Sequence, residues 1–310
     1  MSADPAAPTR LSMAPGVMTL TKETAQSFNE HYATSMQRMF AAVSDLYAEY
    51  WNDFFHFAIF PKGNESWDDA FAFTHAKYLK ALDIPNAYKV LELACGRGGF
   101  SNIMAQHTKG TVLGIDISGA QLSHAKRHEA KPFVQAIRRH ESGSAGRDVR
   151  RCRLHGCRLL SARQGKGGVR HLARREEGGR FLLIDWCKQA GLNRVQEELV
   201  LEPFMEYWAV PSMETAAGYR RHLKKAGFRM LEEEDLNDRT RPNWDFGYES
   251  ALKAIKELSF RDVPRLLWKG MTLGPEGIRL IKEQFPAALY IKTGFDAGFL
   301  RYVYFVAEKV

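Results

Sequence analysis

The stretch "VLELACGRGGF", residues 90–100, decides the fold class of this chain, because an apolar run ends there in a cluster of glycines. A strand that ends in a tight glycine turn brings bare backbone against a ligand, and the helix that follows offers free N–H groups. Several kinds of ligand are bound at turns of this type. The turn therefore predicts a binding site at the end of a strand and leaves its ligand open.

The segments around this turn alternate between strand-like and helix-like patterns. A first strand, "KVLELAC" at 89–95, is followed by a helix, "FSNIMAQHT" at 100–108, and by a second strand, "TVLGIDI" at 111–117. A strand–helix–strand crossover predicts parallel neighbours in a right-handed unit. The pattern resumes after residue 177 with the strands "GGRFLLIDWC", "RMLEEEDL" and "FLRYVYFVAEKV" and the helix "METAAGYRRHLKKAGF". An α/β protein is predicted.

An acidic residue stands where nucleotide-binding α/β folds need one. Asp116 lies near the end of the second strand, 18 residues after Gly98, and an acid at this place can accept both hydroxyls of a ribose. The loop reads E-x-A-C-G-x-G-G rather than the dinucleotide pattern G-x-G-x-x-G. The turn alone leaves dinucleotides, phosphates and S-adenosylmethionine open, whereas the turn, the spacing and the acid together favour a cofactor that contains a ribose.

This loop resembles motif I of class I S-adenosylmethionine-dependent methyltransferases, and three further stretches resemble other parts of that family. They are "VLGIDIS" at 112–118, "GGRFLLIDW" at 178–186 and "PSMETAAGYRRHLKKAGF" at 211–228. The resemblance implies a doubly wound, Rossmann-like sheet of seven mostly parallel strands, with N-terminal helices and a helical cap insertion. It also implies S-adenosyl-L-methionine as the cofactor, and no metal.

By the same resemblance, six residues would form the cofactor site: Glu92, Ala94, Gly96, Gly98, Asp116 and Ile117. Glu92 and the backbone of Gly96 and Gly98 would face the methionine part of the cofactor. Asp116 would accept the ribose hydroxyls, and Ile117 would pack against adenine. The small residue at position 94 stands where the family often has glycine. The alternative is purely structural, with a tight turn and an acid that caps the strand end.

The predicted organisation has five parts. A disordered leader (1–24) is followed by an N-terminal helical substrate cap (25–84), the cofactor-binding α/β domain (85–236), a helical cap insertion (237–290) and the final strand of the sheet (291–310). In the first cap, a helix is predicted from Ser66 to Leu82, with Ser66 as its N-cap. No secretion signal is recognised in the leader, and the four cysteines form no CxxC pair, which favours a cytoplasmic location.

The charge of the chain is concentrated in one segment. The net charge is +8, but residues 136–175 hold 12 Lys/Arg against two Asp/Glu, so that this segment alone is +10 and the rest is −2. The family resemblance requires a buried fourth strand in this region, and no apolar strand run is recognised there. The written sequence therefore predicts a hole in the sheet and an irregular or exposed loop, since eleven arginines cannot be buried without partners.

Three explanations of the basic segment 136–175 are open: a solvated loop, an RNA-binding arm and a compensated frameshift. A one-base shift in GC-rich codons can convert "RDVRRCRLHGCR" to "TFDVAACTDVD", which is a strand of the expected type. The restored frame predicts a strand near 149–154 and a helix near 163–174. The frameshift is the favoured explanation. A nucleic-acid partner is disfavoured, because no aromatic residue alternates with the arginines for base stacking.

The substrate side resembles sterol and other lipid or terpenoid C-methyltransferases, which carry an "FHFA" stretch like that in "EYWNDFFHFAIF" at 49–60. Aromatic rings in such a pocket stabilise a carbocation formed on the acceptor. The resemblance nominates His56 and Tyr50 as catalytic residues. The pocket would be lined by Tyr47, Trp51, Trp208, Trp244 and Tyr248. Plain core packing is the alternative for the aromatic residues, as a structural role is for His56.

The sequence leaves two classes of function open. The first is an enzyme that methylates a small, hydrophobic acceptor such as a lipid, sterol or terpenoid, with small-molecule N- or O-methyl transfer as its variant. The second is a catalytically impaired relative that keeps the cofactor site. The acceptor and the oligomeric state are not determined. No apolar run approaches the length of a membrane helix.

Overall fold

The structure is a computed structural model that describes residues 34, 37–40, 54, 56–87, 89–128, 134–136, 158–162, 178–208, 210, 212–257 and 285–310. All structural statements below refer to these residues. The predicted leader, the restored strand and helix of the basic segment, and parts of both caps lie outside them. None of the helices in the described parts is long and apolar enough to cross a membrane.

Seven strands of the described residues form one sheet in the order β3-β2-β1-β4-β5-β7-β6. They are β1 (Lys89–Leu93), β2 (Thr111–Asp116), β3 (Val134–Ala136), β4 (Arg158–Ala162), β5 (Arg180–Lys188), β6 (Phe228–Asp235) and β7 (Leu300–Lys309). The first five pair in parallel. Strand β7 runs antiparallel to β5 and β6. The order reverses between β1 and β4, and ligands of open α/β sheets bind at such a point.

Helices connect and cover the strands. They are α1 (Trp67–Ala81), α2 (Gly99–His107), α3 (Gly119–His128), α4 (Arg194–Gln196), α5 (Glu202–Tyr207), α6 (Ala216–Lys225), α7 (Asn237–Glu257) and α8 (285–296). A π-helical turn, Glu197–Leu201, joins α4 to α5. As predicted, Ser66 caps α1, because its side chain accepts a hydrogen bond from the Asp69 N–H.

Alternate residues of the strands pack on opposite faces of the sheet. One face buries Val90, Leu182 and Tyr304 against α1, α2 and the helices α7 and α8. The other buries Leu183 and Phe305 against α6. Both faces are covered, so the central strands carry continuous apolar runs rather than an alternating pattern. This arrangement confirms the predicted α/β class.

The expectation that the basic segment leaves a hole in the sheet is wrong. Strand β4 occupies the central position, with Val90 of β1 opposite Arg158 and Leu159 opposite Phe181 of β5. A strand between two others obtains both ladders of hydrogen bonds from its backbone, whatever its side chains are. The two adjacent leucines at 159–160 form a shorter apolar run than the one expected for a buried fourth strand. Residues 137–157 and 163–177, on which the frameshift hypothesis mainly rests, lie outside the described residues.

The boundary predicted for the last strand also changes. Residues 285–296 are helical, and β7 begins at Leu300 rather than at 291. The helix ends at a turn in which Gly298 has a φ of +71°, a conformation that glycine adopts without strain. The start of the second cap at residue 237 agrees with the first residue of α7, Asn237.

Candidate functional site

The glycine turn between β1 and α2 contains three residues with left-handed backbone. Ala94, Gly96 and Gly98 have φ values of +59°, +55° and +80°. Gly98 is the N-cap of α2. Because glycine has no side chain, the cap residue itself does not bond to the N–H groups of the first turn. Ala94 is exposed and carries a Cβ in a conformation that favours glycine. At the carboxyl end of β1, Ala94 is thus exposed and Gly96 partly buried, whereas Gly98 is buried.

Asp116 closes this turn from the neighbouring strand. One carboxylate oxygen, Oδ2, accepts the Gly96 N–H at 2.9 Å, and Oδ1 accepts the Ser118 N–H at 2.8 Å. Burial raises the pKa of Asp116, and these backbone donors act in the opposite direction. A carboxylate offers about four acceptor positions, so each oxygen keeps capacity for a further donor. Asp116 therefore shapes the turn and can still accept hydroxyl groups.

The predicted contacts of Gly96 and Gly98 with a ligand need a refinement. The Gly96 N–H is bonded to Asp116, and the Gly98 N–H donates to the Cys95 carbonyl at 2.9 Å. Neither N–H is therefore directed only at a ligand. The contribution of these glycines is their left-handed backbone and the close approach it allows.

Glu92 lies in the middle of the site and is buried. Its side chain accepts a short hydrogen bond from the Ser101 hydroxyl in the first turn of α2. Burial raises the pKa of Glu92 to about 8; the Ser101 bond lowers it and the nearby Asp116 carboxylate raises it further. The raised pKa favours the protonated form of Glu92, which can donate as well as accept a hydrogen bond.

Gly114, in the middle of β2, allows the turn and α2 to approach the strand closely. A Cβ at this position would lie 2.9 Å from Ser101 Oγ and 3.0 Å from Cys95 Sγ. Both neighbours are buried, and Ser101 is held by its bond to Glu92. Burial raises the pKa of the Cys95 thiol far above its usual range. This favours a packing role for Cys95 over nucleophilic chemistry.

Gly114→Ala is expected to destabilise the protein by about 2 kcal/mol, because the added methyl group overpacks a site that cannot move. Urea denaturation measures the change. The matched control is Gly119→Ala in the first turn of α3, where a Cβ meets nothing within 4 Å; this change is expected to be neutral or slightly stabilising. Equal stability of the two variants would contradict the close approach at Gly114.

Ile117 follows Asp116 and is contacted from the N-terminal part of the chain. The carbonyl oxygen of Ile117 accepts a hydrogen bond from Gln37 Nε2 at 2.8 Å. Residues 37–40 are helical, and Met39 is buried. The N-terminal region therefore reaches the ribose end of the predicted cofactor site, a contact that the sequence reasoning did not assign to a particular residue.

His56 lies beside a second histidine, His75. Its Nε2 lies 3.3 Å from the Nε2 of His75 in α1, and its Nδ1 lies 3.2 Å from the Phe57 carbonyl oxygen. Burial lowers the pKa of His56 to about 4, and burial with the neighbouring His56 lowers the pKa of His75 to about 3. Both rings are therefore neutral at pH 7. His75 is a candidate that the sequence reasoning missed.

The segment that carries His56 is clamped by two helices. The side chain of Asn243 in α7 pairs with the backbone of Ala58, since Oδ1 accepts its N–H and Nδ2 donates to its carbonyl oxygen, both at 2.8 Å. Asn243 Nδ2 also donates to the Thr240 carbonyl at 2.7 Å. From α1, Thr74 Oγ1 accepts the Ile59 N–H at 2.7 Å. Residues 57–60 are buried throughout, so these side chains replace the backbone partners that a sheet would supply.

An aromatic cluster adjoins His56 at the carboxyl end of β5. The Phe57 ring lies 4.9 Å from Tyr302 and 6.0 Å from Trp186, and Trp186 lies 5.4 Å from Trp208. These distances between ring centroids are typical of packed aromatic pairs. Trp208 is partly exposed and donates through Nε1 to the Ala287 carbonyl at 3.3 Å. Of the residues predicted for the pocket, Trp208 is the one that joins this cluster at its partly exposed side.

Trp244 also adjoins this cluster, because its ring lies 6.0 Å from that of Phe57. It is 4% exposed and stacks on Phe295 at 4.2 Å, so it lies on the buried side of the cluster. Tyr248, one turn further along α7, is half-buried. Tyr47, Tyr50 and Trp51 lie outside the described residues. Their predicted roles remain predictions.

Three further residues of the site were not predicted from the sequence: Ser101, Thr74 and Asn243. Ser101 follows Glu92 by nine residues, and a polar residue in the first turn after a glycine loop was a signal that could have been used. Thr74 meets its partner, the Ile59 N–H, 15 residues away along the chain. Asn243 had no local signal, because its partner Ala58 is 185 residues away. Among the described residues, no group of three His, Cys, Asp or Glu side chains could hold a metal ion.

These features define a class of protein: an α/β fold whose glycine turn and strand-end acid suit a cofactor with a ribose. Comparison with known proteins agrees. A family model described as a methyltransferase domain matches residues 84–141, which contain β1, β2, the glycine turn and Asp116. The match covers the cofactor half of the site and leaves the acceptor side untested.

Relatives and solved structures extend this match. The chain is 24% identical to 24-methylenesterol C-methyltransferase 3 of Arabidopsis thaliana over 273 residues, which is 83% of this chain and 73% of that protein. It is 32% identical to a sterol 24-C-methyltransferase of Aspergillus fumigatus over 109 residues, 35% of this chain but only 28% of that protein. The fold is similar to mycolic acid cyclopropane synthase CmaA1, solved with SAH and CTAB, with a TM-score of 0.69, 13% identity and coverage of 89% and 98% of the two chains.

The chain contains a methyltransferase domain, and the matches support an S-adenosylmethionine-dependent methyltransferase with S-adenosyl-L-methionine as its cofactor. The resemblance inferred from residues 90–118 is thereby confirmed. The matched relatives carry sterol methyltransferase names.

Proposed function

We propose that this enzyme transfers the methyl group of S-adenosylmethionine to an apolar acceptor of the sterol, terpenoid or lipid type. The observation that carries the proposal is the aromatic cluster of Phe57, Trp186, Trp208 and Tyr302 beside the His56 pair. Phe57, Trp186 and Tyr302 are buried, so Trp208 is the member whose partly exposed ring can meet an apolar acceptor. A ring face also attracts a positive charge. The sterol methyltransferase relatives support the same acceptor class.

The residues of the site fit the cofactor. The free acceptor positions of Asp116 suit two ribose hydroxyls, and Ile117 follows at the place expected for adenine. The first turn of α2, with Gly98 as its cap and no side-chain cap bond among the described residues, suits the carboxylate of the methionine part. Glu92 orients this end through Ser101. When bound, S-adenosylmethionine supplies an electrophilic methyl group.

The residues of the chain then position the acceptor and exclude water. Methyl transfer is an in-line displacement, which depends on the alignment of donor and acceptor and on a dry site. Trp208 supplies partly exposed apolar surface on the acceptor side, and the buried Trp186 packs against it. Asn243 and Thr74 fix residues 57–60 and hence the position of Phe57 and His56. In this proposal the aromatic rings stabilise the cation that an alkene becomes after methylation.

A panel of acceptors tests the proposal. Sterols with a side-chain double bond, prenyl compounds and quinones are incubated with methyl-labelled S-adenosylmethionine beside glycine-type amines and catechols. Label is expected in the apolar acceptors alone, and the Asp116→Ala variant sets the background. Turnover of the hydrophilic amines alone would exclude the lipid class and favour small-molecule N- or O-methyl transfer. Cofactor binding without turnover of any acceptor would favour the catalytically impaired relative.

A further inference from the structure

The two rings of the His56–His75 pair carry their protons on different nitrogens, and their hydrogen bonds determine which ones. Both rings are neutral at pH 7, so each carries one N–H and one lone pair. His56 Nδ1 faces the Phe57 carbonyl oxygen at 3.2 Å. A carbonyl oxygen only accepts, so the proton of His56 lies on Nδ1. The Nε2 of His56 therefore carries the lone pair.

The position of the proton on the second ring, His75, follows in the same way. His75 Nε2 lies 3.3 Å from His56 Nε2, and one of these two nitrogens has to donate. Since His56 Nε2 carries a lone pair, His75 Nε2 carries the proton. The lone pair of His75 is then on Nδ1, and no hydrogen bond between described residues uses that atom. The chain of bonds runs from His75 through His56 to the Phe57 carbonyl, and its basic end is His75 Nδ1.

We propose that His75, through Nδ1, is the proton acceptor of this site, and that His56 is the residue that positions it. The inference rests on the proposed function, because an alkene that has been methylated must lose a proton to become a stable product. In that step a C–H bond next to the cationic carbon breaks, and its electron pair forms a new C=C bond. The proton forms a bond to His75 Nδ1.

The surroundings suit this role. Aromatic side chains pack against the pair. Measured between ring centroids, Phe54 lies 4.4 Å and Phe100 5.3 Å from His75. Phe71 and Tyr78 each lie 5.7 Å from His56. Phe100 lies in the first turn of α2, directly after the glycine turn, so the pair adjoins the methionine end of the predicted cofactor site. Burial keeps the pKa of both histidines low, and the base is therefore unprotonated when the cation forms. A carbocation is so strong an acid that a weak base is sufficient.

The first test reads the tautomers directly and does not depend on activity. The full chain is labelled with ¹⁵N in its ten histidines, and long-range ¹H–¹⁵N spectra are assigned with His56→Gln and His75→Gln. The expected result is two neutral rings at pH 7, with the proton on Nδ1 of His56 and on Nε2 of His75. A proton on Nε2 of His56, or a charged ring at pH 7, would overturn the inference.

The second test separates the two histidines by kinetics on a sterol with a side-chain double bond. His75→Gln is expected to lower kcat by about 100-fold or more, the scale of a lost acid–base group, without a change in the Kd for S-adenosylmethionine. His56→Gln, whose amide oxygen can still accept the His75 N–H, is expected to lower kcat by about 10-fold at most, since general acid–base groups contribute far more. His107→Gln is the matched control, because His107 is an exposed histidine at the far end of α2.

Deuterium on the acceptor distinguishes proton removal from a structural effect. With deuterium at the carbons next to the reacting alkene and in the labelled methyl group, His75→Gln is expected to show a larger kinetic isotope effect than the wild-type protein. Equal losses of kcat in both histidine variants with an unchanged isotope effect would show that the pair is only structural. A wild-type protein that methylates no apolar acceptor would refute the proposed function, whereas the tautomers would still decide which nitrogen is basic.

Discussion

Asn243→Ala is expected to lower the free energy of unfolding by about 3 kcal/mol, because it leaves the N–H and the carbonyl of Ala58 without partners. Each unsatisfied buried polar group costs about 1–3 kcal/mol. Both groups of Ala58 are bonded to the Asn243 side chain at 2.8 Å, and both residues are completely buried. Urea denaturation at pH 7 measures the loss. The effect exceeds that of most single substitutions, because one side chain satisfies two backbone groups.

The control for this prediction is Asn64→Ala, which removes the same amide from an exposed loop next to α1. It is expected to change the unfolding free energy by less than about 0.5 kcal/mol. Similar stability of the two variants would show that Asn243 does not hold residues 57–60. Because the clamp fixes the segment that carries His56, a version of Asn243→Ala that stays folded is also expected to lose methyl transfer while still binding the cofactor.

Asp116→Ala is expected to weaken the binding of S-adenosylmethionine by about 1.5–3 kcal/mol, the scale for hydrogen bonds to a charged group. This corresponds to about a 10- to 150-fold higher Kd. In the proposed site the carboxylate accepts the ribose hydroxyls, and in the structure it also accepts the Gly96 and Ser118 N–H groups. The variant therefore loses both the contact and the shape of the turn. Titration calorimetry measures the change.

The matched control is Asp68→Ala, which removes an exposed carboxylate from the first turn of α1 and is expected to leave the Kd unchanged. Asp116→Asn separates the two roles of Asp116. Its amide keeps one acceptor for the turn but cannot accept at both oxygens, so an intermediate Kd is expected. Unchanged affinity in Asp116→Ala would remove this residue from the cofactor site.

Much of the cofactor half of the fold was predictable from the sequence. The apolar run at 89–93, the glycines and Asp116 are local signals, because strand patterning and turn chemistry act over a few residues. The start of α1 at Ser66 was predicted for the same reason. Strand β4 was not, since its place is determined by the backbone ladders of β1 and β5 rather than by a long apolar run of its own.

The acceptor half depends on partners that are distant in sequence. Sequence reasoning nominated His56 and Trp208 but could not pair the first with His75, 19 residues away. It nominated Trp244 for the pocket, and in the structure this ring is buried against Phe57 and Phe295. An aromatic residue carries the same local signal in a core and in a binding pocket, and only its neighbours distinguish the two.

The α/β class, the glycine turn and the acid at the end of β2 followed from the sequence alone, and with them the resemblance to methyltransferases. These depend on spacing along one short stretch, where the chain geometry leaves little choice. The tertiary structure was needed to bring His75 within 3.3 Å of His56 and to place Asn243 on Ala58 across 185 residues. Such contacts arise when helices pack on a finished sheet, and side chains that meet in this way leave no periodic signal in the sequence.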